Sequence, residues 1–206
     1  SPEAIVAAAE ALLRPNQALI GKRLVVTAGP TYEDLDPVRY IGNRSSGRMG
    51  FAIAEEAVSR GGRVVLISGP TSVPPPAGCE VVQVRSAIQM HEAVTAHAAD
   101  VDAVIMAAAV ADYMPVSRPT QKGTKSDDDL HVQLTRTPDI LADLGRRRAA
   151  AGHGPVLVGF AAETEQVVER ARRKRERKQV DAIVANDVSR ADAGFDVETN
   201  AVTIVT

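Results

Sequence analysis

A short polar segment carries residues that could bind a phosphate group. The segment IGNRSSGRMG (residues 41–50) places Ser45, Ser46 and Gly47 where a helix is expected to begin. Unpaired N–H groups and the positive dipole end at a helix start suit an anion. The alternative is that Ser45 or Ser46 simply caps the helix through its hydroxyl. The spacing alone favours neither interpretation.

Two basic clusters could neutralise a polyphosphate. A glycine-containing loop holds Lys122 and Lys125, and such a loop could close over a nucleotide and counter its developing charge. Residues 170–179 form the second cluster, in which Lys174 and Lys178 stand four positions apart and share one face of a predicted helix. A solvated surface is the alternative interpretation of both clusters. Most of the second must face solvent, because only one stripe of a helix can meet a sheet.

The remaining reactive side chains indicate no familiar catalytic site. Carboxylates follow three predicted strands, at Asp112, Glu163 and Asp187, but no spacing among them indicates acid–base catalysis. The four histidines are scattered, so neither a catalytic triad nor a zinc site is predicted. The single cysteine, Cys79, excludes an internal disulfide and any site built from several cysteines. The acidic run at 127–129 is expected to be a solvated turn.

Composition narrows the class of protein. The chain has 206 residues, of which 45% are hydrophobic and 24% charged, with a formal net charge of -2. This balance favours neither a nucleic-acid nor a membrane partner. No apolar run approaches the ~20 residues that a membrane span needs. The first residues carry acidic side chains and no basic leader, unlike a signal peptide, so a reducing cytoplasm is expected.

Strands alternate with helices along the chain, which predicts an α/β fold. Helices are predicted at about 47–59, 87–99 and 164–179. The apolar runs that predict strands are RLVVTAG, RVVLISG, EVVQVR, DAVIMAAAV, PVLVGFAAE and DAIVAND. This alternation predicts a mostly parallel sheet with helices on both faces, a Rossmann-like three-layer sandwich.

Other stretches do not follow this alternation. Residues 116–137 have no helical period but include LHVQLTR, whose alternation predicts a strand, and the final ETNAVTIVT predicts an edge strand. Residues 1–20 are expected to be a helix and linker left from an upstream domain, with the fold proper at 21–206.

In open α/β sheets, ligands bind beyond the carboxyl ends of the strands. Several of those loops here are rich in Gly, Ala and Thr, as in TAGPT (residues 27–31), and would let backbone N–H groups approach a ligand. Neither GxGxxG nor GxxxxGK[ST] occurs at these positions. A nucleotide is therefore either bound in an unusual way or not bound at all.

Eight motifs occur together in one order. They are TAGPT, NRSSGRMG, AAAVADY, the lysine-bearing loop, TPDIL, GFAAET, the Lys174/Lys178 helix and VANDV. In this order the chain resembles phosphopantothenoylcysteine synthetase, in bacteria usually the carboxy-terminal half of a bifunctional flavoprotein. The resemblance covers residues 21–206.

The resemblance implies a CTP-dependent ligase of coenzyme A biosynthesis. The carboxylate of 4'-phosphopantothenate would attack the α-phosphate of CTP to give an acyl cytidylate and pyrophosphate, and L-cysteine would then displace CMP. Mg²⁺ is expected with the triphosphate, although no dedicated site for it is visible, and FMN is expected only in an upstream decarboxylase domain. A homodimer is expected, formed through the arm at 116–137 and the sheet-edge strands.

The resemblance also implies roles for individual residues. Asn43 would hold the acyl-cytidylate carbonyl, Arg39 would lie nearby, and Lys122 would reach the triphosphate. The phosphate and substrate contacts would be Gly29, Ser45, Ser46 and Gly47. The residues implied for CTP are Met106, Ala107, Ala108, Asp112, Lys122, Pro138, Asp139, Ile140, Leu141, Phe160, Lys174 and Lys178.

The loop departs from the family pattern at one position. Where the family has lysine, any residue, lysine and lysine, this chain has Lys122-Gly123-Thr124-Lys125. Thr124 therefore replaces one expected phosphate contact. Two other functions are weighed beside the ligase: an NAD(P)-dependent oxidoreductase, which the missing GxGxxG disfavours, and a non-catalytic binding module that would use the basic helix at 170–178.

Overall fold

The chain forms one large sheet flanked by helices, with two short strand pairs beside it. A computed structural model describes residues 1–6, 17–122, 129–163, 165–187 and 201–206. The strands are β1 (Arg23–Ala28), β2 (Tyr32–Asp34), β3 (Tyr40–Gly42), β4 (Arg63–Ser68), β5 (Glu80–Gln83), β6 (Ala103–Met106), β7 (Tyr113–Pro115), β8 (Leu134–Arg136), β9 (Val156–Glu163), β10 (Ala182–Asp187) and β11 (Val202–Val205). The helices are α1 (Arg48–Ser59), α2 (Ala87–His97), α3 (Ile140–Ala151) and α4 (Val167–Lys178).

The seven-stranded sheet has the order β11-β10-β9-β6-β1-β4-β5. Neighbouring strands run parallel, except that β11 pairs antiparallel with β10 at one edge. The mostly parallel sheet and the carboxy-terminal edge strand are thus confirmed. The two smaller pairs, β2 with β3 and β7 with β8, are antiparallel.

Side chains of β1 alternate between two apolar cores, one on each face of the sheet. Leu24 and Val26 pack in the core that includes Phe51 and Ala54 of α1. Val25 packs in the opposite core, to which α2, α3 and α4 all contribute. Helices therefore cover both faces, as the period of two along a buried strand requires. This confirms the predicted three-layer sandwich.

Two predicted boundaries are wrong. The run DAVIMAAAV is not one strand, because β6 ends at Met106 and the Ala108 N–H donates to the Thr27 hydroxyl at 3.1 Å. The last predicted helix begins at Val167, after Gln166 in a left-handed conformation (φ 49°), rather than at residue 164, which lies outside the described residues.

Helix α3 and the β2–β3 hairpin were not predicted. Signals for α3 are present, because Asp139 caps its first turn and Gly152 (φ 72°) ends it. The predicted strand LHVQLTR shortens to β8, which pairs with β7.

The two ends of the chain are only partly described. Residues 2–6 are helical, and the rest of the predicted amino-terminal helix falls within 7–16, outside the described residues. Of the helices in the described ranges, none has the length and apolar character needed to cross a membrane.

Candidate functional site

A pocket of about 440 Å³ opens beyond the carboxyl ends of β6 and β9. Its walls are the loop after β6, the segment between β8 and α3, and one face of α4. The lining residues are Met106, Ala108, Val110, Ala111, Asp112, Tyr113, Arg136, Thr137, Pro138, Asp139, Ile140, Leu141, Phe160, Lys174 and Lys178. The motifs predicted all of these for CTP except Val110, Ala111, Tyr113, Arg136 and Thr137.

Two residues predicted for the same site do not line this pocket. Ala107 lies in the loop after β6, with its neighbours on the wall. Lys122 is exposed at the end of a described range. Residues 123–128, which include Thr124 and Lys125, lie outside the described residues, as does most of the acidic run at 127–129.

The first wall is held by two buried threonine hydroxyls. Thr27 accepts from the Ala108 N–H at 3.1 Å, and Thr31 accepts from the Ala111 N–H at 2.9 Å. Both threonines are fully buried. These hydroxyls pair two backbone N–H groups of the loop after β6, where the regular pairing of the strand has ended. The TAGPT motif thus supplies the supports, a role that its residue types alone do not reveal.

Thr137 joins the first wall to the second. Its hydroxyl donates to the Ala111 carbonyl oxygen at 2.6 Å, and its N–H donates to the Asp112 carbonyl oxygen at 3.0 Å. Pro138 and Asp139 follow directly, and the Asp139 carboxylate caps α3 by accepting from the Ala142 N–H at 3.1 Å. One residue therefore fixes the separation of two segments that line the pocket.

The third wall brings the two helix lysines to the pocket. Lys178 Nζ lies 3.0 Å from Asp139 Oδ1, and its side chain is only 13% exposed. Lys174 Nζ donates to the Phe160 carbonyl oxygen at 2.7 Å. Helix α4 can approach α3 because Gly145 has no side chain, and a Cβ there would overlap the Lys178 carbonyl oxygen. The i,i+4 spacing thus places both ammonium groups on one wall.

The Asp139 carboxylate is ionised under ordinary conditions. Burial tends to raise its pKa, but the hydrogen bonds from Lys178 and the Ala142 N–H, together with the positive charges of Lys178 and Arg177, outweigh that effect. The pKa of Asp139 therefore lies below its ordinary value. Lys178 and Asp139 form a charged pair on the pocket wall.

The predicted phosphate residues lie at the start of α1. Gly47 is the N-cap, with φ 79°, and no side chain caps the helix. The Ser45 hydroxyl instead accepts from the Gly47 N–H at 3.3 Å, so the interpretation of Ser45 or Ser46 as the helix cap is wrong. Gly29 (φ 74°) lies against Gly47, whose absent Cβ would be 3.4 Å from the Gly29 Cα. At the start of α1 and the carboxyl end of β1, two glycines therefore let the backbones pack closely together.

Asn43 connects this segment to the pocket. Its Nδ2 donates to the Val110 carbonyl oxygen at 3.0 Å, and Val110 lies on the pocket wall. Arg39 is paired with Asp36, with Nη2 2.6 Å from Oδ2. Hydrogen bonds from the Arg39 side chain first, and from backbone N–H groups, lower the pKa of Asp36 to about 2. The contacts between Asp36 and Arg39 close the turn that leads through β3 to Asn43.

The β2–β3 hairpin is held in place by contacts of residues that the motifs did not predict. The rings of Tyr32 and Tyr40 stack at 3.9 Å, with the Arg85 guanidinium over both. Glu33, only 1% exposed, accepts from the Ala87 N–H at the start of α2 at 2.8 Å. Its two strands have three residues each, which is too few to show a periodic pattern in the sequence. The hairpin depends on these tertiary contacts, and for that reason it was not predicted.

The other candidate residues are the carboxylates Glu163 and Asp187 and the single cysteine, Cys79. Glu163 and Asp187 are register partners at the ends of β9 and β10, and their side chains lie outside the described residues. Burial is the main cause that raises the pKa of the Cys79 thiol, which disfavours a reactive thiolate. Across the described ranges, no three or more His, Cys, Asp or Glu side chains gather as a metal site would require.

The fold and the pocket define a Rossmann-like α/β protein whose site lies beyond the carboxyl ends of parallel strands. The model of the family "DNA/pantothenate metabolism flavoprotein C-terminal domain" matches residues 19–206. The chain belongs to this family, which confirms the resemblance drawn from the eight motifs.

Comparisons with individual proteins agree with this family assignment. The chain is 46% identical over 205 residues to the coenzyme A biosynthesis bifunctional protein CoaBC of Vibrio cholerae, covering 98% of this chain and 50% of that protein. It therefore spans about half the length of such curated relatives. The crystal structure of a CoaBC C-terminal domain matches with a TM-score of 0.73 and 44% identity, covering 92% of this chain and 88% of that one.

A more distant structure shares the fold. A Cab2 variant in complex with phosphopantothenate-cysteine matches with a TM-score of 0.67 at 19% identity, covering 86% of this chain and 74% of that chain. This similarity supports the Rossmann-like assignment of the sheet.

Proposed function

We propose that this chain is a phosphopantothenate–cysteine ligase that uses CTP. It activates 4'-phosphopantothenate to an acyl cytidylate and couples it to L-cysteine, giving 4'-phosphopantothenoylcysteine, CMP and pyrophosphate. The observation that carries the proposal is the single pocket that gathers the AAAVADY, TPDIL, GFAAET and Lys174/Lys178 motifs from four parts of the chain. Membership of a family with relatives named for coenzyme A biosynthesis supports it.

The first half-reaction needs a nucleotide held with its α-phosphate exposed to a carboxylate. A carboxylate oxygen of phosphopantothenate forms a bond to the α-phosphorus, and the bond from that phosphorus to the bridging oxygen breaks to release pyrophosphate. Lys122, Lys174 and Lys178 counter the charge that develops on the phosphates. The backbone from Pro138 to Leu141, with Ala107 and Ala108, reads the cytosine, and Phe160 packs beside the base or ribose.

The second half-reaction needs the acyl carbon held for the incoming amine. The cysteine nitrogen bonds to that carbon and loses a proton, while the bond from the carbon to the phosphate oxygen breaks and CMP leaves. Asn43 can bind the Val110 carbonyl oxygen and contact the acyl cytidylate at the same time. Of its two amide hydrogens one is used on Val110, which leaves the other and the Oδ1 acceptor for the acyl cytidylate.

The phosphate of 4'-phosphopantothenate is assigned to the start of α1. Gly29, Ser45, Ser46 and Gly47 lie there, and the helix begins without a side-chain cap. Its first N–H groups and dipole therefore favour an anion. Arg39, in the turn before Asn43, would contact the substrate only by sharing its guanidinium with Asp36, whose charge balances its own.

Mg²⁺ is expected to accompany CTP. Magnesium keeps several waters and binds through one or two carboxylates together with substrate phosphates, so a dedicated protein cage is not required. Asp112 is a pocket-lining carboxylate for which the described residues supply no ion pair. The ion would neutralise charge on the leaving pyrophosphate.

A homodimer is part of the proposal. The arm at 116–137 exposes a row of apolar side chains on and beside β8, which a second subunit would cover. Its exposed members are Val116, Leu130, Val132 and Leu134. An upstream flavoprotein decarboxylase, with its FMN, is expected as the fusion partner, and the cytoplasm as the location.

The test is a complete reaction with three substrates. The 206-residue chain is incubated with CTP, Mg²⁺, 4'-phosphopantothenate and L-cysteine, and the amide product and CMP are quantified by mass spectrometry. Equal amounts of the two products support the proposal. The absence of amide product would contradict it, and stoichiometric binding of a nicotinamide cofactor would favour the oxidoreductase instead.

A further inference from the structure

Arg136 is a cation on the pocket wall that the motifs did not predict. It is the last residue of β8, where its register partner is Tyr113 of β7. Both residues line the pocket, as do the lysines of α4. The short β7–β8 pair thus brings a guanidinium to the pocket wall.

The other two cations of the pocket wall are already bound to protein groups. Lys178 is paired with Asp139 at 3.0 Å, and the Lys174 ammonium donates to the Phe160 carbonyl oxygen at 2.7 Å. For Arg136, by contrast, no carboxylate or carbonyl partner is found in the part of the chain that the structure describes. Its five N–H donors are available to a ligand.

Arg136 also decides the net charge of the pocket wall. The lining holds three cations, Arg136, Lys174 and Lys178, against the two carboxylates of Asp112 and Asp139. The excess of one positive charge disappears if Arg136 is neutralised. A polyphosphate is attracted to a positively charged wall and gains nothing from a neutral one.

We propose that Arg136 is a phosphate-binding residue of this pocket, contacting the phosphates of the bound nucleotide. The inference rests on the proposed function, because it takes the pocket as the nucleotide site. A guanidinium suits the task, since its planar fork donates two parallel hydrogen bonds to phosphate oxygens, which an ammonium cannot reproduce.

The experiment compares binding of CTP and of cytidine, by calorimetric titration of the 206-residue chain. Arg136→Gln should weaken CTP binding about tenfold, on the scale of one charged hydrogen bond, and leave cytidine binding unchanged. Arg136→Lys should recover part of the loss. The dependence of CTP affinity on salt should also become shallower in Arg136→Gln, because one ionic contact is gone.

Arg146→Gln is the matched control. Arg146 is an exposed arginine of α3 that pairs with Asp143 and does not line the pocket. The Arg146→Gln variant should bind CTP with the affinity of the wild type.

The outcomes separate this inference from the proposed function. Wild-type affinity for CTP in Arg136→Gln would overturn the role of Arg136 alone, while the ligase proposal would stand. An equal loss for cytidine and CTP would also overturn it, since the side chain would then act on the base or on pocket shape. A wild-type chain that binds neither CTP nor cytidine would overturn the proposed function, and this inference with it.

Discussion

Asn43 Nδ2 lies 3.0 Å from the Val110 carbonyl oxygen and donates to it. This one hydrogen bond joins the segment before α1 to the loop that lines the proposed nucleotide pocket. The two proposed subsites, for the phosphate of phosphopantothenate and for CTP, therefore have a fixed relation to each other. In the proposed reaction the acyl cytidylate must span both subsites, and Asn43 lies between them.

Asn43→Asp should separate the two half-reactions. A carboxylate removes the amide donor, faces the Val110 carbonyl oxygen and repels the phosphate of the acyl cytidylate. We expect activation to fall less than about tenfold and transfer to cysteine to fall at least ~100-fold. The thermal midpoint should change little, because Asn43 is exposed and does not cap α1. Accumulated acyl cytidylate, detected by mass spectrometry, is the readout, and product formed at the wild-type rate would refute the role.

Thr137 should act as a positioning residue. Thr137→Val keeps the shape of the side chain but removes the hydroxyl that donates to the Ala111 carbonyl oxygen. We expect the KM for CTP to rise about tenfold, since the unsatisfied carbonyl lets the two pocket walls separate. Thr137→Ser keeps the hydroxyl and should restore the KM. Equal kinetics in the Val and Ser variants would show that the hydroxyl does not position the walls.

Gly47 should tolerate no side chain. Gly47→Ala adds a Cβ 2.8 Å from Thr71 Cγ2 at φ 79°, and the Thr71 hydroxyl holds that side chain in place by donating to the Val73 carbonyl oxygen. Gly152→Ala is the control, with a similar φ of 72° and open space around it.

We expect about 1 kcal/mol of destabilisation in Gly152→Ala, the cost of left-handed backbone, and more in Gly47→Ala. Only Gly47→Ala should weaken phosphopantothenate binding. Adding Thr71→Ser removes the opposing methyl and should bring the stability loss of Gly47→Ala down to that of the control. Chemical denaturation measures each value, and equal losses in the two single variants would contradict the close approach.

The sheet could be predicted because its strands are buried on both faces. Strands β1, β4 and β9 contain the uninterrupted aliphatic runs LVV, VVLI and VLV, which are typical of parallel strands between two helical layers. The same reasoning extended β6 too far. Ala107 to Val110 are apolar like a strand, but the hydroxyls of Thr27 and Thr31 take the N–H groups of Ala108 and Ala111, and an isolated bridge at Ala109 replaces regular pairing.

Much of the candidate site could be predicted only through motif order. The i,i+4 spacing placed Lys174 and Lys178 on one face, yet nothing local indicated that Asp139 would pair with Lys178. That contact depends on the close packing of α3 and α4 at Gly145, between residues far apart in sequence. Arg136 escaped prediction for the same reason, because the β7–β8 pairing that brings it to the pocket is a tertiary feature.

Lys122 should matter chiefly for activation. If its ammonium neutralises the triphosphate, Lys122→Gln should slow pyrophosphate release at least ~100-fold, the scale of a lost transition-state charge contact. Lys22→Gln is the control, because Lys22 pairs with Asp102 at the opposite end of the sheet and surface pairs contribute little. Lys125→Gln should be milder. Near-normal pyrophosphate release in Lys122→Gln would remove this role.

Pyrophosphate release without cysteine tests the central claim most directly. The chain is mixed with CTP, Mg²⁺ and 4'-phosphopantothenate, pyrophosphate is followed in time, and L-cysteine is then added. We predict a burst of pyrophosphate close to one equivalent per site that needs phosphopantothenate, then steady release of CMP and amide product once cysteine is present. ATP should be at least ~10-fold less effective, about the effect of one unmatched hydrogen bond to the base. Pyrophosphate release that requires cysteine, or that proceeds equally with ATP, would contradict activation through a specific acyl cytidylate.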